Sequence, residues 1–227
     1  MRLSHLVTIL AVCGVVFLAG QACAWDVYYD GSGMPGAPWF RGFTDNDLSA
    51  TSSDGNVLHI VDQRSDATAA FFSFGTPPPS HSPLTVEARL RVLAGDYVAI
   101  AAQTPDFGTL LHVRPGGIDI YYGPSNSISS SHILNMSTFR TIRIATDSNG
   151  RSHTWVDGLL LAEGTTSWPV LQGGIIFGSL SYSGVNESEW DYVAYSASFL
   201  PVPEPSSLLA LGAGLGAVGL LRRRSKQ

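Results

Sequence analysis

Three acidic residues near the C-terminal end of the 227-residue chain, Glu187, Glu189 and Asp191, alternate with Ser188 and Trp190. On a β-strand, side chains at i, i+2 and i+4 leave the same face, so this spacing lines up three carboxylates. Two carboxyl groups about 5 Å apart are what retaining glycoside hydrolysis needs, one as acid and one as nucleophile. Rings that could stack on a sugar face are the second chemical feature. Trp39, Tyr121, Tyr122 and Trp168 lie beside Pro or Gly, where loops and strand ends bring rings to the surface. Other chemistries have less support. His59, His81, His112, His132 and His153 show none of the spacings of a zinc site, and there is no G-x-S-x-G elbow for a serine nucleophile.

The elements that must position these groups read as strands. Thr85 to Val92 alternates Val86, Ala88 and Leu90 with Glu87, Arg89 and Arg91, which predicts one face in a core and one in water. Further strands are expected at 57–61, 69–74, 97–102, 109–114, 118–122, 139–146, 153–156, 174–177 and 190–199. Asn149-Gly150 and Asp157-Gly158 both tolerate positive φ and predict tight hairpins, and Pro77-Pro78-Pro79 predicts a loop. About ten short strands at this spacing, with no amphipathic helix between them, argue for an all-β, two-sheet sandwich over residues 25–200.

Charge narrows the partners. Between Trp25 and Pro201 there are eight arginines, no lysine and 17 acidic residues, a net charge of −9. Such a domain disfavours polyanions, so no nucleic acid is expected. The only cysteines are Cys13 and Cys23, both in the segment expected to be removed, which leaves no disulfide and no thiol chemistry.

The two ends have their own logic. Residues 1–24 have the form of a secretory signal peptide: Arg2, an apolar stretch from Leu6 to Leu18, and Ala22-Cys23-Ala24 before Trp25. At the other end, Val202-Pro203-Glu204-Pro205 precedes an apolar segment, 206–221, and then Arg222-Arg223-Arg224. The prolines keep the site extended, the apolar segment enters the bilayer, and the arginines stay on the cytoplasmic side. As a helix, 16 residues span about 24 Å, short of a hydrocarbon core of about 30 Å, which suits transient better than permanent anchorage. Gly214-x-Gly216-x-x-Gly219 has the spelling of a dinucleotide loop, but it lies inside this apolar segment rather than between a strand and a helix.

Together, Pro203-Glu204-Pro205, the leucine-rich segment and the arginine cluster resemble the PEP-CTERM sorting signal of Gram-negative bacteria that export polysaccharide. The resemblance implies residues 201–227 as a sorting tail and an exosortase as processing partner. It also implies Sec export, brief residence in the inner membrane, and release or display at the cell surface.

The body, through its aromatic-acidic start, the Thr85–Val92 strand, the hairpin from Phe139 to Asp157-Gly158 and the final Trp190–Tyr195 strand, is similar to concanavalin A-like, laminin-G-type jelly rolls. Glycosidases of that fold carry Glu-x-Asp-x-x-Glu, and Glu187-Ser-Glu-Trp-Asp191-Tyr departs from it. No catalytic residue is therefore assigned. The resemblance further implies that first and last strands are neighbours, which nominates Asp26, Asp30 and Asp191 for a structural Ca²⁺; no other cofactor is expected. The reading is a non-enzymatic surface or matrix protein that binds extracellular polysaccharide. Alternatives are a carbohydrate-active hydrolase on the same fold and a structural surface protein with no ligand.

Overall fold

In a computed structural model, the chain is described at residues 25–41, 51–53, 55–62, 70–74, 79–123, 128–166, 174–179 and 185–202. The predicted signal peptide, the Pro77-Pro78 pair, Trp168 and the tail from Pro203 onward lie outside these residues. All regular structure described is strand: β1 (Val27–Tyr29), β2 (Trp39–Arg41), β3 (Thr51–Ser53), β4 (Leu58–Asp62), β5 (Ala70–Phe74), β6 (Leu84–Ala94), β7 (Val98–Gln103), β8 (Gly108–Arg114), β9 (Gly117–Tyr121), β10 (Ser130–Ile133), β11 (Arg140–Thr146), β12 (Arg151–Val156), β13 (Leu159–Thr165), β14 (Ile175–Ser179) and β15 (Asn186–Ser196). Among the described residues, no helix is long and apolar enough to cross a membrane.

The strands form two antiparallel sheets. The first runs β13-β12-β11-β6-β15-β4-β3, with β1 also paired to β15; the second runs β10-β9-β8-β7-β14-β5-β2. β15 is the longest-shared element: β6 lines one edge, while β4 takes the first half of the other and β1 the second half. First and last strands are thus neighbours, with Val27 opposite Tyr195.

Alternation explains which residues the sheets enclose. On β6, Val86, Ala88, Leu90 and Val92 point into the core, and Glu87, Arg89 and Arg91 point out. From the second sheet Ile100, Leu111, Ile118 and Phe177 meet them, with Trp190 fully buried among them. β7 is buried on both faces, because Val98 and Ile100 serve this core while Ala99 and Ala101 join Leu110, Tyr121 and Ile176 in a smaller cluster on the outer side. That double burial accounts for its continuous apolar run. Asp157 and Gly158, with φ of 50° and 80°, make the two-residue turn that returns β12 into β13. Trp25–Pro201 is one compact unit.

Candidate functional site

The three carboxylates of β15 do share a face. Ser188 and Trp190 turn inward, and Glu187, Glu189 and Asp191 turn outward. A bulge after Trp190 puts Asp191 and Tyr192 out together, since Trp190 opposes Leu90 and Tyr192 already opposes Arg89. Pairing then gives each carboxylate a basic partner. His59 Nε2 lies 2.9 Å from Glu187 Oε1, Arg91 Nε donates to Glu189 Oε2 at 2.6 Å, and Arg89 pairs with Asp191. One strand further, Glu87 accepts from Arg143 Nε at 2.6 Å and from the Tyr192 hydroxyl at 2.8 Å. A glycosidase acid has to hold its proton in an apolar niche. Here the carboxylates are rungs of a ladder of hydrogen bonds and ion pairs running from β4 to β11.

The nominated calcium ligands are not gathered into a site. Asp26 and Asp30 flank the three-residue strand β1, so about 13 Å of extended chain separates them. Asp26 Oδ2 instead accepts the Ala197 N–H at 2.6 Å, and Asp191 is committed to Arg89. Asp30 Oδ1 accepts from Ser32 N and Oγ at 3.0 and 2.6 Å; these two bonds hold its carboxyl below the usual range, the hydroxyl contributing most. Among the described residues no group of three His, Cys, Asp or Glu side chains could hold a metal.

Of the four rings nominated for stacking, the three among the described residues, Trp39, Tyr121 and Tyr122, are buried. Trp39 is 5% exposed and packs edge-on against Phe177, with centroids 5.1 Å apart, and Tyr122 also faces the core. Tyr121 is buried on the outer side of the second sheet. An exposed ring that the sequence reading did not single out is Tyr28. It is 57% exposed and stacks on Tyr192, with centroids 5.7 Å apart and planes 26° apart. Partial burial, then the charges of Asp191, Asp30 and Glu87, raise its phenol pKa. Beside it, Tyr29, Asp30, Ser32, Met34 and Trp39 help line a pocket of about 260 Å³. The pocket loop is fixed from below. Gly31 has φ +75° and lies so close to β15 that a Cβ would stand 2.5 Å from the Asp191 carbonyl oxygen, and the Tyr29 hydroxyl donates to the Gly33 carbonyl at 2.6 Å.

On the outer side of the second sheet, His112 lies between Tyr97 and Tyr121, at 4.7 and 4.6 Å. It is 7% exposed and neither ring nitrogen has a hydrogen-bond partner. Burial lowers its pKa to about 4, against the opposing pull of Asp119. The alternate positions of β9 on this side are Gly117, Asp119 and Tyr121, so the strand offers one carboxylate, and that one is occupied by Arg114 and by Ser131 Oγ at 2.6 Å.

Comparison with known proteins adds two findings. Residues 201–225 match the PEP-CTERM protein-sorting motif. The motif marks an exported protein and implies processing by an exosortase. No curated protein matches the chain in sequence. The fold is similar to that of a glycosidic hydrolase, at TM-score 0.55 and 13% identity over 77% of this chain and 97% of that one. A prokaryotic β-1,3-1,4-glucanase (lichenase) from a mouse hindgut metagenome gives 0.53 and 12% over 75% and 98%. A carbohydrate esterase from the Shiga toxin-encoding bacteriophage phi24B gives 0.53 and 10% over 76% and 97%. The body is therefore a jelly-roll sandwich of the concanavalin A-like kind.

The PEP-CTERM motif begins where the sandwich ends. Leu200 N–H donates to Thr85 Oγ1 at 2.9 Å, and the same hydroxyl donates to the Ser198 carbonyl at 2.7 Å. Arg143 Nη1 donates to the Leu200 carbonyl at 3.2 Å, and its guanidinium lies over the Trp25 ring, 5.5 Å from the centroid. Phe199 meets His153 edge-on at 5.7 Å.

Proposed function

We propose that this is an exported cell-surface or matrix protein of a Gram-negative bacterium, whose sandwich binds extracellular polysaccharide without cleaving it. In this reading residues 1–24 direct Sec export, the apolar segment 206–221 holds the chain briefly in the inner membrane, and an exosortase removes the tail. The observation that carries the binding role is the pocket under Tyr28. It combines an exposed aromatic face, backed by Tyr192, with the carboxylate of Asp30 and the hydroxyl of Ser32, the mixture of stacking surface and hydrogen-bonding groups that a sugar ring uses. The non-catalytic role is supported by the ladder, in which each β15 carboxylate has a basic partner. The reading invokes no metal, since the carboxylates of Asp26, Asp30 and Asp191 are engaged by Ala197 N–H, Ser32 and Arg89 in turn.

The test is titration calorimetry of the mature protein against its host's extracellular polysaccharide, alongside a reducing-end assay of the same mixture. Binding is expected, with Tyr28→Ala weakening it about three- to tenfold, the worth of one aromatic contact. New reducing ends would replace this reading with that of a hydrolase. Neither binding nor cleavage would leave a structural surface protein.

A further inference from the structure

The pocket beside Tyr28 holds a negative charge that no basic group balances. Tyr28 and Asp30 flank the inward-facing Tyr29, so both point outward, about 7 Å apart along the extended chain, and both are exposed. Glu87, Glu187, Glu189 and Asp191 each face an arginine or a histidine. Asp30 faces neither. Its Oδ1 accepts from Ser32 N and Ser32 Oγ, both neutral donors, and among the described residues no protein donor reaches Oδ2. The hydroxyl of Ser32 first, and then its amide, hold the carboxyl below the usual range, which keeps it an anion at pH 6. Among the described residues that line the pocket none is Arg, Lys or His.

Charge decides what such a pair selects. The face of a tyrosine ring is negative and attracts a cation placed over it, and the carboxylate attracts the same cation from the side. A uronate or a sulfated sugar would meet this charge with no base to receive its own, so the pocket disfavours it. A neutral sugar can stack on the ring and hydrogen-bond to Asp30, but it leaves the charge unbalanced. A sugar with an ammonium group uses both features. At an exposed site the ring contact is worth about two- to fivefold in affinity and an exposed ion pair a similar factor, about tenfold together. The net charge of −9 between Trp25 and Pro201 favours the same class of ligand. At about 260 Å³ the pocket is smaller than sites that enclose drug-sized ligands, which suits one unit of a longer chain.

We infer that the pocket selects an amine-bearing polysaccharide: it takes a hexosamine unit whose amino group is free and protonated, with the ammonium set between the Tyr28 ring and the Asp30 carboxylate. The inference rests on the polysaccharide-binding reading and narrows it to one chemical class.

The experiment is titration calorimetry at pH 6 on the protein purified from its host, with three probes of equal length: trimers of glucosamine with free amines, the same trimers fully N-acetylated, and a uronate trimer. An amine of the α-amino type is protonated at this pH. The free-amine trimer should bind about tenfold more tightly than the N-acetylated one, and the uronate trimer most weakly. Asp30→Asn keeps the shape and an oxygen for Ser32 while removing the charge, so the ratio between the first two probes should fall from about ten toward about two, and 1 M salt should shrink it in wild type as well. Equal affinity for the free-amine and N-acetylated trimers, or a tenfold ratio that survives in Asp30→Asn, would overturn the amine selectivity while leaving a sugar-binding protein. Binding of all three probes that Tyr28→Ala does not weaken would instead overturn the pocket as the binding site, and the selectivity with it.

Discussion

His112 gives the sandwich an acid-labile point whose size can be worked out. Its ring sits between Tyr97 and Tyr121, 7% exposed, with neither nitrogen hydrogen-bonded, so the fold accommodates the neutral imidazole and not the imidazolium. Burial takes its pKa from 6.5 to about 4, the nearby Asp119 opposing. The unfolded chain takes up a proton below about 6.5, and the folded chain only below about 4. Between those values the unfolded state binds more protons, so stability falls as pH falls. Above 6.5 the contribution is whole, and below 4 its loss is complete. The gap, at 1.36 kcal/mol per pH unit, amounts to about 3 kcal/mol. The perturbation is His112→Leu, which keeps roughly the volume and removes the titrating group. Urea unfolding of both proteins from pH 7 to pH 4 reads the difference, since the two differ in this one titrating side chain. Wild type should lose about 3 kcal/mol more than the variant over this range. At pH 7 the variant should match or exceed wild type, because it loses no hydrogen bond. Parallel stability curves would refute the reasoning.

Two further substitutions test the core and the ladder. Trp190→Ala removes the largest fully buried side chain among the described residues, which packs on Phe177 at 5.0 Å, and should cost about 3–5 kcal/mol of unfolding free energy in urea at pH 7. Glu189→Gln breaks a pair whose side chains are 18% and 36% exposed; it should cost under about 1 kcal/mol, with the difference from wild type shrinking in 1 M salt. Loss of any polysaccharide-cleaving activity on that same substitution would reverse the non-catalytic reading.

β6 was legible because its burial has period 2 from Val86 to Val92, and β7 because burial on both faces makes it a continuous apolar run. Strands β1, β2, β3 and β10, of three or four residues, are too short to establish a period, and their pairing decides them. The same limit governs the site. Spacing in the sequence placed Glu187, Glu189 and Asp191 on one face, and the structure has them there. What spacing cannot carry is register. Arg91 and Arg89 come from residues 98 and 102 positions away, and only the alignment of β15 on β6 brings them to Glu189 and Asp191. The rings follow suit: Pro38 beside Trp39 marks a loop, yet the pairing of β2 with β5 turns that ring onto Phe177. Tyr28 has no loop signal at all and is exposed because β1 adds to the edge of β15, with its outward position beside Tyr192. Face is a local property of a strand and can be read from the chain; partner is a property of register, which two distant segments set together. A carboxylate's chemistry depends on the partner, and so its role became readable only when both strands were in place.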